Sequence, residues 1–167
     1  MIIDNLFHGT DKEFSSFKDD FLGTGAGEGY IKAHWFIKGD DLTKAERGAQ
    51  LYAQNFGFDK NHYIYKIRLD IDDSSVVSTH DVLFKKINEK QKNLLTNSHV
   101  NGMTTVEDFI TSNNNAYELL VKMNIIVITG WTPDNGMCDE YISVLTANSF
   151  SCSINIIKKI KKIGLSI

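Results

Sequence analysis

The sequence predicts an α+β fold, with strands gathered towards both ends of the chain and helices in its middle. Three observations carry this. "HYIYKIRLDID" alternates, with Tyr63, Tyr65, Ile67, Leu69 and Ile71 on one face and Ile64, Lys66, Arg68 and Asp70 on the other, the period of a half-buried strand. The last third holds further runs of branched and apolar residues, "NIIVITGW", "EYISVL" and "SINIIKKI", that read as strands. Between these lie stretches with helical spacing, from Thr79 to Met123.

Taken in order, Leu6-Phe7-His8 reads as a short strand ending at Gly9, so His8 either sits in a site or is a polar turn residue after an edge strand. Phe14 and Phe17, three apart, fit a helical turn or an irregular loop. "GTGAGEG" (23–29) has four glycines in seven residues, a backbone free to take positive φ or to approach another group closely. Ala33 to Ile37 is a short aromatic strand, and Gly39-Asp40-Asp41 a turn. Thr43 with Glu46 forms a capping box for a helix from Lys44 to about Gln54, with Ala45, Ala49, Tyr52 and Ala53 on one face. Val82, Phe84, Ile87, Leu94 and Leu95 suggest a helix after Thr79, and Val106 to Met123 another, capped by Thr104 or Thr105. "TPDNG" is a turn before the strand that starts at Glu140.

The chain's 167 residues suit one domain (1–167), with no repeat and no linker rich in Pro, Gly and Ser. A net charge of -3 offers no basic excess to attract nucleic acid, so a protein partner is favoured over a nucleic acid. Cys138 and Cys152 have neither metal-ligand spacing nor the look of a disulfide framework. With no signal peptide and no apolar run near ~18 residues, the expectation is a cytoplasmic protein that does not enter a membrane.

Each candidate group has a plain structural reading beside the chemical one. The glycine-rich loop could cradle phosphate, yet no Lys-Ser/Thr follows it and no strand–helix–strand unit is built around it, so neither a P-loop nor a dinucleotide fingerprint is present. A lone His8 is more often a turn or core histidine; Trp35, Phe36 and Tyr52 are more often packing; Glu140 more often a solvated rim residue. The lysine-rich "KKIKKI" is usually a solvated strand edge that could touch an acidic partner.

The order of these parts is more informative than any one of them. "LFHGT", then F..F, a glycine-rich loop, an aromatic strand, "YA" on a helix, "YIYKIRL" and a late "DEYISVL" resemble the diphtheria-toxin-type ADP-ribosyltransferases, most of all small phage and bacterial single-domain members with a His/aromatic/Glu site. The resemblance covers most of the chain and is weakest from Thr79 to Met123. It implies a split β-sheet core with peripheral helices and NAD as co-substrate. It also implies transfer of ADP-ribose to a host macromolecule, as in anti-defence (anti-CRISPR-like) or effector activities. By the same resemblance, His8 would hydrogen-bond the adenosine-side ribose, Gly9 and Thr10 would pair with the nicotinamide amide, and Trp35, Phe36 and Tyr52 would form the aromatic wall. Glu140 would be the catalytic carboxylate beside the developing ribosyl cation.

The sequence departs from the family pattern in places. Trp35 stands where tyrosine is usual and Ile37 where threonine is usual. The gap from Trp35 to Tyr52 is longer, which makes Tyr30 a substitute for Tyr52. Cys138 stands two residues before Glu140, where arginine-modifying members carry an acidic residue, so an arginine acceptor is not supported. Two further functions stay open: a transferase-like module that inhibits a partner by contact, and an NAD glycohydrolase.

Overall fold

The structure is a computed structural model that describes residues 1–22, 31–39, 42–54, 61–132 and 140–163. The glycine-rich loop, Tyr30, the Asp40-Asp41 turn, Pro133 to Gly136 of the "TPDNG" turn, Cys138 and Asp139 lie outside the described residues.

The alternating segment forms β3 (Asn61–Ile71), with Tyr63, Tyr65, Ile67, Leu69 and Ile71 all buried. Ile64 on its other face is buried as well, so this half of the strand is covered on both sides. β3 pairs antiparallel with β1 (Ile2–Thr10) on one side and β7 (Cys152–Ile163) on the other. β1 pairs with β2 (His34–Lys38), β2 with β6 (Glu140–Val144), and β6 with β5 (Val127–Trp131), all antiparallel. A three-residue β4 (Val76–Ser78) lies parallel to β5. Among the described residues the result is a mixed seven-stranded sheet in the order β4-β5-β6-β2-β1-β3-β7.

β1 is therefore an interior strand, nine residues long, and not a short edge. Asp4 and Asn5 hide its first half from a hydropathy reading: Asn5 takes a positive φ of 61°, and the register with β3 shifts between Ile3 and Leu6. A short polar side chain tolerates that left-handed conformation at such an irregularity.

Helix α1 (Leu42–Gln54) starts before Thr43, so this threonine lies inside the helix and does not cap it. The middle of the chain is more broken than its apolar spacing predicts. After Thr79 there is a 3-10 turn (Leu83–Lys85) and a five-residue α2 (Glu89–Asn93), started by a capping box of Asn88 and Gln91. The helix expected over Val106 to Met123 is two, α3 (Val106–Ser112) and α4 (Ala116–Lys122). Thr105 caps α3 by accepting from the Asp108 amide. Asn113 ends it: its amide group donates to the Phe109 and His99 carbonyls, and its Oδ1 accepts from the His99 amide. A side chain that satisfies backbone groups this way competes with helix continuation.

Residues directly opposite on antiparallel strands project to the same face. Leu6, Phe36, Tyr65, Ile67 and Ile142 form one core face, over which Phe14 and Phe17 fold back. The other face carries Phe7, Ile37 and Ile64 against Ala45 and Ala49 of α1. The same face continues through Ile128 and Trp131 to α3 and α4. Gly9 sits under α1: a Cβ there would lie 1.7 Å from the Ala49 carbonyl oxygen. No described helix is long and apolar enough to cross a membrane.

Candidate functional site

β1 and β2 pair at two positions only, Leu6 with Lys38 and Phe7 with Ile37. Past these, His8, Gly9 and Thr10 stay in register with β3, while His34, Trp35 and Phe36 stay in register with β6. The sheet opens between them. The His8 imidazole spans the opening, its Nδ1 2.9 Å from the Trp35 carbonyl oxygen. A carbonyl only accepts, so Nδ1 carries the proton and Nε2 presents a lone pair. No described residue bonds that second nitrogen.

Phe17, Phe36 and Phe14 surround the imidazole, with centroids at 5.2, 5.8 and 6.3 Å. The residue is half-buried, with phenylalanine rings on several sides of the imidazole. Burial lowers its pKa from 6.5 to about 4, against the opposing pull of the Trp35 bond. At neutral pH His8 is thus an uncharged acceptor of fixed tautomer, suited to receive a hydroxyl and unsuited to hold an anion.

The segment that carries the two phenylalanines is tied at both ends. The Phe14 amide donates to the Tyr65 hydroxyl at 2.8 Å, and Lys159 pairs with Glu13. Further on, Asp19 Oδ1 accepts from His34 Nε2 at 3.0 Å and from the Ala147 amide at 2.7 Å, while Thr146 donates to Oδ2. Burial alone would raise the Asp19 carboxyl, but the bonds from Ala147, Thr146 and His34 overcome it and hold the pKa below its ordinary value. Burial lowers His34, with Asp19 opposing. Nothing in "KDDF" distinguishes Asp19 from its neighbour, so sequence reasoning missed it.

Glu140 opens β6 opposite Lys38, which is itself opposite Leu6. These registers put Glu140 on the same face as Leu6 and His8. Two strand spacings across and two residues along put the His8 and Glu140 Cα atoms roughly 12 Å apart. Phe36, 1% exposed, lies between them as part of the wall around His8.

Trp35 and Tyr52 lie on the other face. Trp35, opposite Ser143, meets Trp131 edge to face at 5.4 Å, and the Trp131 indole N–H donates to the Ser143 hydroxyl at 3.0 Å. Tyr52 projects from α1, its hydroxyl 3.0 Å from that of Tyr141 and its ring edge-on at 6.1 Å. Trp131 and Tyr141 are functional candidates absent from the sequence reading; the alternation that places Trp35 on this face places them there too. Gly9 and Thr10 have structural explanations of their own. Gly9 admits α1, and the Thr10 hydroxyl accepts from the Lys12 amide at 3.1 Å in a local turn.

The structure thus gathers His8, Phe36 and Glu140 on one face, with Trp35 and Tyr52 on the reverse of the same strands. In comparisons with protein-family models, with curated proteins and with solved structures, nothing matches this chain.

Proposed function

We propose that this chain is a mono-ADP-ribosyltransferase that takes NAD as co-substrate and transfers ADP-ribose to a macromolecule of a host cell, a protein in the first place. One observation carries the reading. The strands bearing His8, Trp35 and Glu140, distant in sequence, are consecutive in the sheet, and the sheet parts between the first two. A sheet that parts there supports a reading in which it corresponds to the split core that the family resemblance implies.

In this reading His8 Nε2 accepts a ribose hydroxyl, its tautomer fixed by the Trp35 carbonyl. Glu140 hydrogen-bonds the nicotinamide-side ribose and sets its negative charge beside the carbon that loses the nicotinamide. One preorganised group of this kind is worth about 3–4 kcal/mol. The bond broken joins ribose to nicotinamide, which leaves with the electron pair. The bond formed joins the same carbon to an acceptor nucleophile, whose proton Glu140 can take. Trp35 and Tyr52 flank the opening from the opposite face, and Tyr141 holds Tyr52 in place.

A second reading is favoured by Phe14 and Phe17, which lie over His8: a domain of this architecture that blocks a partner by contact alone. Purified protein, adenylate-labelled NAD and a host lysate separate the two. Transfer of label to a lysate component, with nicotinamide release, is expected of the transferase. No transfer, no release and no NAD binding by calorimetry would establish the contact reading, whereas nicotinamide release at full rate without lysate would mark an NAD glycohydrolase.

A further inference from the structure

The two edges of the sheet differ sharply. β4 ends one side with three residues, a common way of blunting an edge. β7 ends the other with twelve, and no described strand pairs with its outer side. Every second residue of such a strand turns its backbone N–H and C=O outward. Lysines on an edge strand, and the bulge that leaves Ile157 over between Lys66/Lys158 and Ile67/Ile156, also occur where an edge is merely guarded against aggregation.

Guarding does not account for Lys66. It lies on interior β3 directly opposite Lys158, and like charges placed so repel. Neither forms an ion pair among the described residues, whereas Lys159 pairs with Glu13 and Lys162 with Glu46 at 3.4 Å. Both lysines rim a depression of about 120 Å³ whose floor is Phe7, Ile64 and Ile160, with Leu42 and Glu46 of α1 on its far wall and the Glu46 carboxylate already paired with Lys162. That volume suits one side chain and is well below the ~300 Å³ of a small-molecule pocket. Ile157 and Ile163 stand 55% and 77% exposed on the same strand.

We propose that the outer edge of β7, with the Lys66–Lys158 depression beside it, docks an acidic extended segment of a partner protein, which adds to the sheet as a further strand. The backbone row that no described strand pairs selects a peptide over a nucleic acid. The lysines select acidic side chains, and the same lysines disfavour a second copy of this chain, whose β7 would bring lysine against lysine. A carboxylate beside Lys158 also relieves the repulsion with Lys66. This inference does not rest on the transferase reading, and its test involves no NAD.

A fluorescent peptide of alternating Glu and Val is titrated into the full chain. Saturable binding is expected, weakening with salt. The variant Lys158→Glu should bind at least about tenfold more weakly. Should that variant lose its melting transition, Lys158→Gln replaces it and should still weaken binding. The same peptide methylated on alternate backbone nitrogens should fail to bind, because it cannot pair along the edge. Absence of binding by the unmodified peptide, equal binding of the methylated form or of an oligonucleotide of equal charge, or self-association of the chain through β7 would each overturn the proposal.

Discussion

The two faces of the β1–β2 junction are built from alternate residues of the same strands, yet they solve opposite problems. On one, His8 stands among Phe14, Phe17 and Phe36 with a single bond to a carbonyl, so a polar ring is kept neutral in a largely apolar setting. On the other, Gly9 contributes no side chain at all, and α1 closes onto the strand backbone. The first face holds chemical capacity that packing alone does not require. The second holds a packing constraint that has a full structural explanation. A histidine followed by a glycine is therefore two different statements here, one a candidate for function and one about helix approach.

The comparison can be broken at its functional end first. Glu140→Gln keeps the shape of β6 and removes the charge. Nicotinamide release should fall about a hundredfold or more, the worth of one well-placed group, with the melting temperature unchanged. A variant that keeps its rate would remove Glu140 from the site.

At the packing end, Gly9→Ala drives a methyl into the Ala49 carbonyl, backbone against strand, and α1 must shift. Denaturant unfolding should show a loss of about 3 kcal/mol. An unchanged midpoint would mean that the helix does not approach as described.

The neutral imidazole makes a pH prediction of definite sign. The folded chain holds His8 unprotonated down to about pH 4, while the unfolded chain takes up a proton near 6.5. Between those values the unfolded state binds more protons, so stability is full above about 6.5 and falls as the pH drops through the window, by at most ~1.4 kcal/mol per pH unit for one group. His34, also lowered, acts in the same direction. Asp19, held below its ordinary value, adds a loss at lower pH, where its carboxylate takes up a proton in the unfolded chain before it does in the folded one. Unfolding midpoints of wild type and His8→Phe from pH 4 to 7 check this: the variant should show the shallower slope, and parallel slopes would exclude His8 as the source.

The smallest effect is expected at Tyr52→Phe, which deletes the hydroxyl bonded to Tyr141 and leaves the ring. Stability should fall by about 1 kcal/mol. If the hydroxyl pair also positions the ring for a ligand, NAD affinity should fall in Tyr141→Phe to a similar degree, whereas a purely structural pair would leave affinity unmoved in both.

How far all this could be read beforehand depended on the kind of signal. β3 was legible because its sequence alternates from Tyr63 to Ile71, and its burial follows that period from Tyr65 onward. Trp35 and Phe36 on opposite faces follow from the same rule. β4 was not legible, since three residues carry no period. The apolar spacing from Val106 to Met123 reported burial correctly but not continuity, because Asn113 satisfies the backbone itself and ends α3. The pairing of distant strands, which brings β6 beside β2, leaves no local trace; only the order of the motifs hinted at it. Asp19 and the closure of Phe14 and Phe17 over His8 depend on contacts made across the chain, which no window of sequence contains.

The central claim is that a dinucleotide site lies where β1 and β2 part. A crystal structure of the chain with bound NAD tests it most directly. The account predicts ribose hydroxyls within hydrogen-bond distance of His8 Nε2 and Glu140, and the nicotinamide at the opening beside Trp35 and Tyr52. A crystal in saturating NAD that holds the dinucleotide elsewhere on the molecule, or holds none while Phe14 and Phe17 still cover His8, would contradict it.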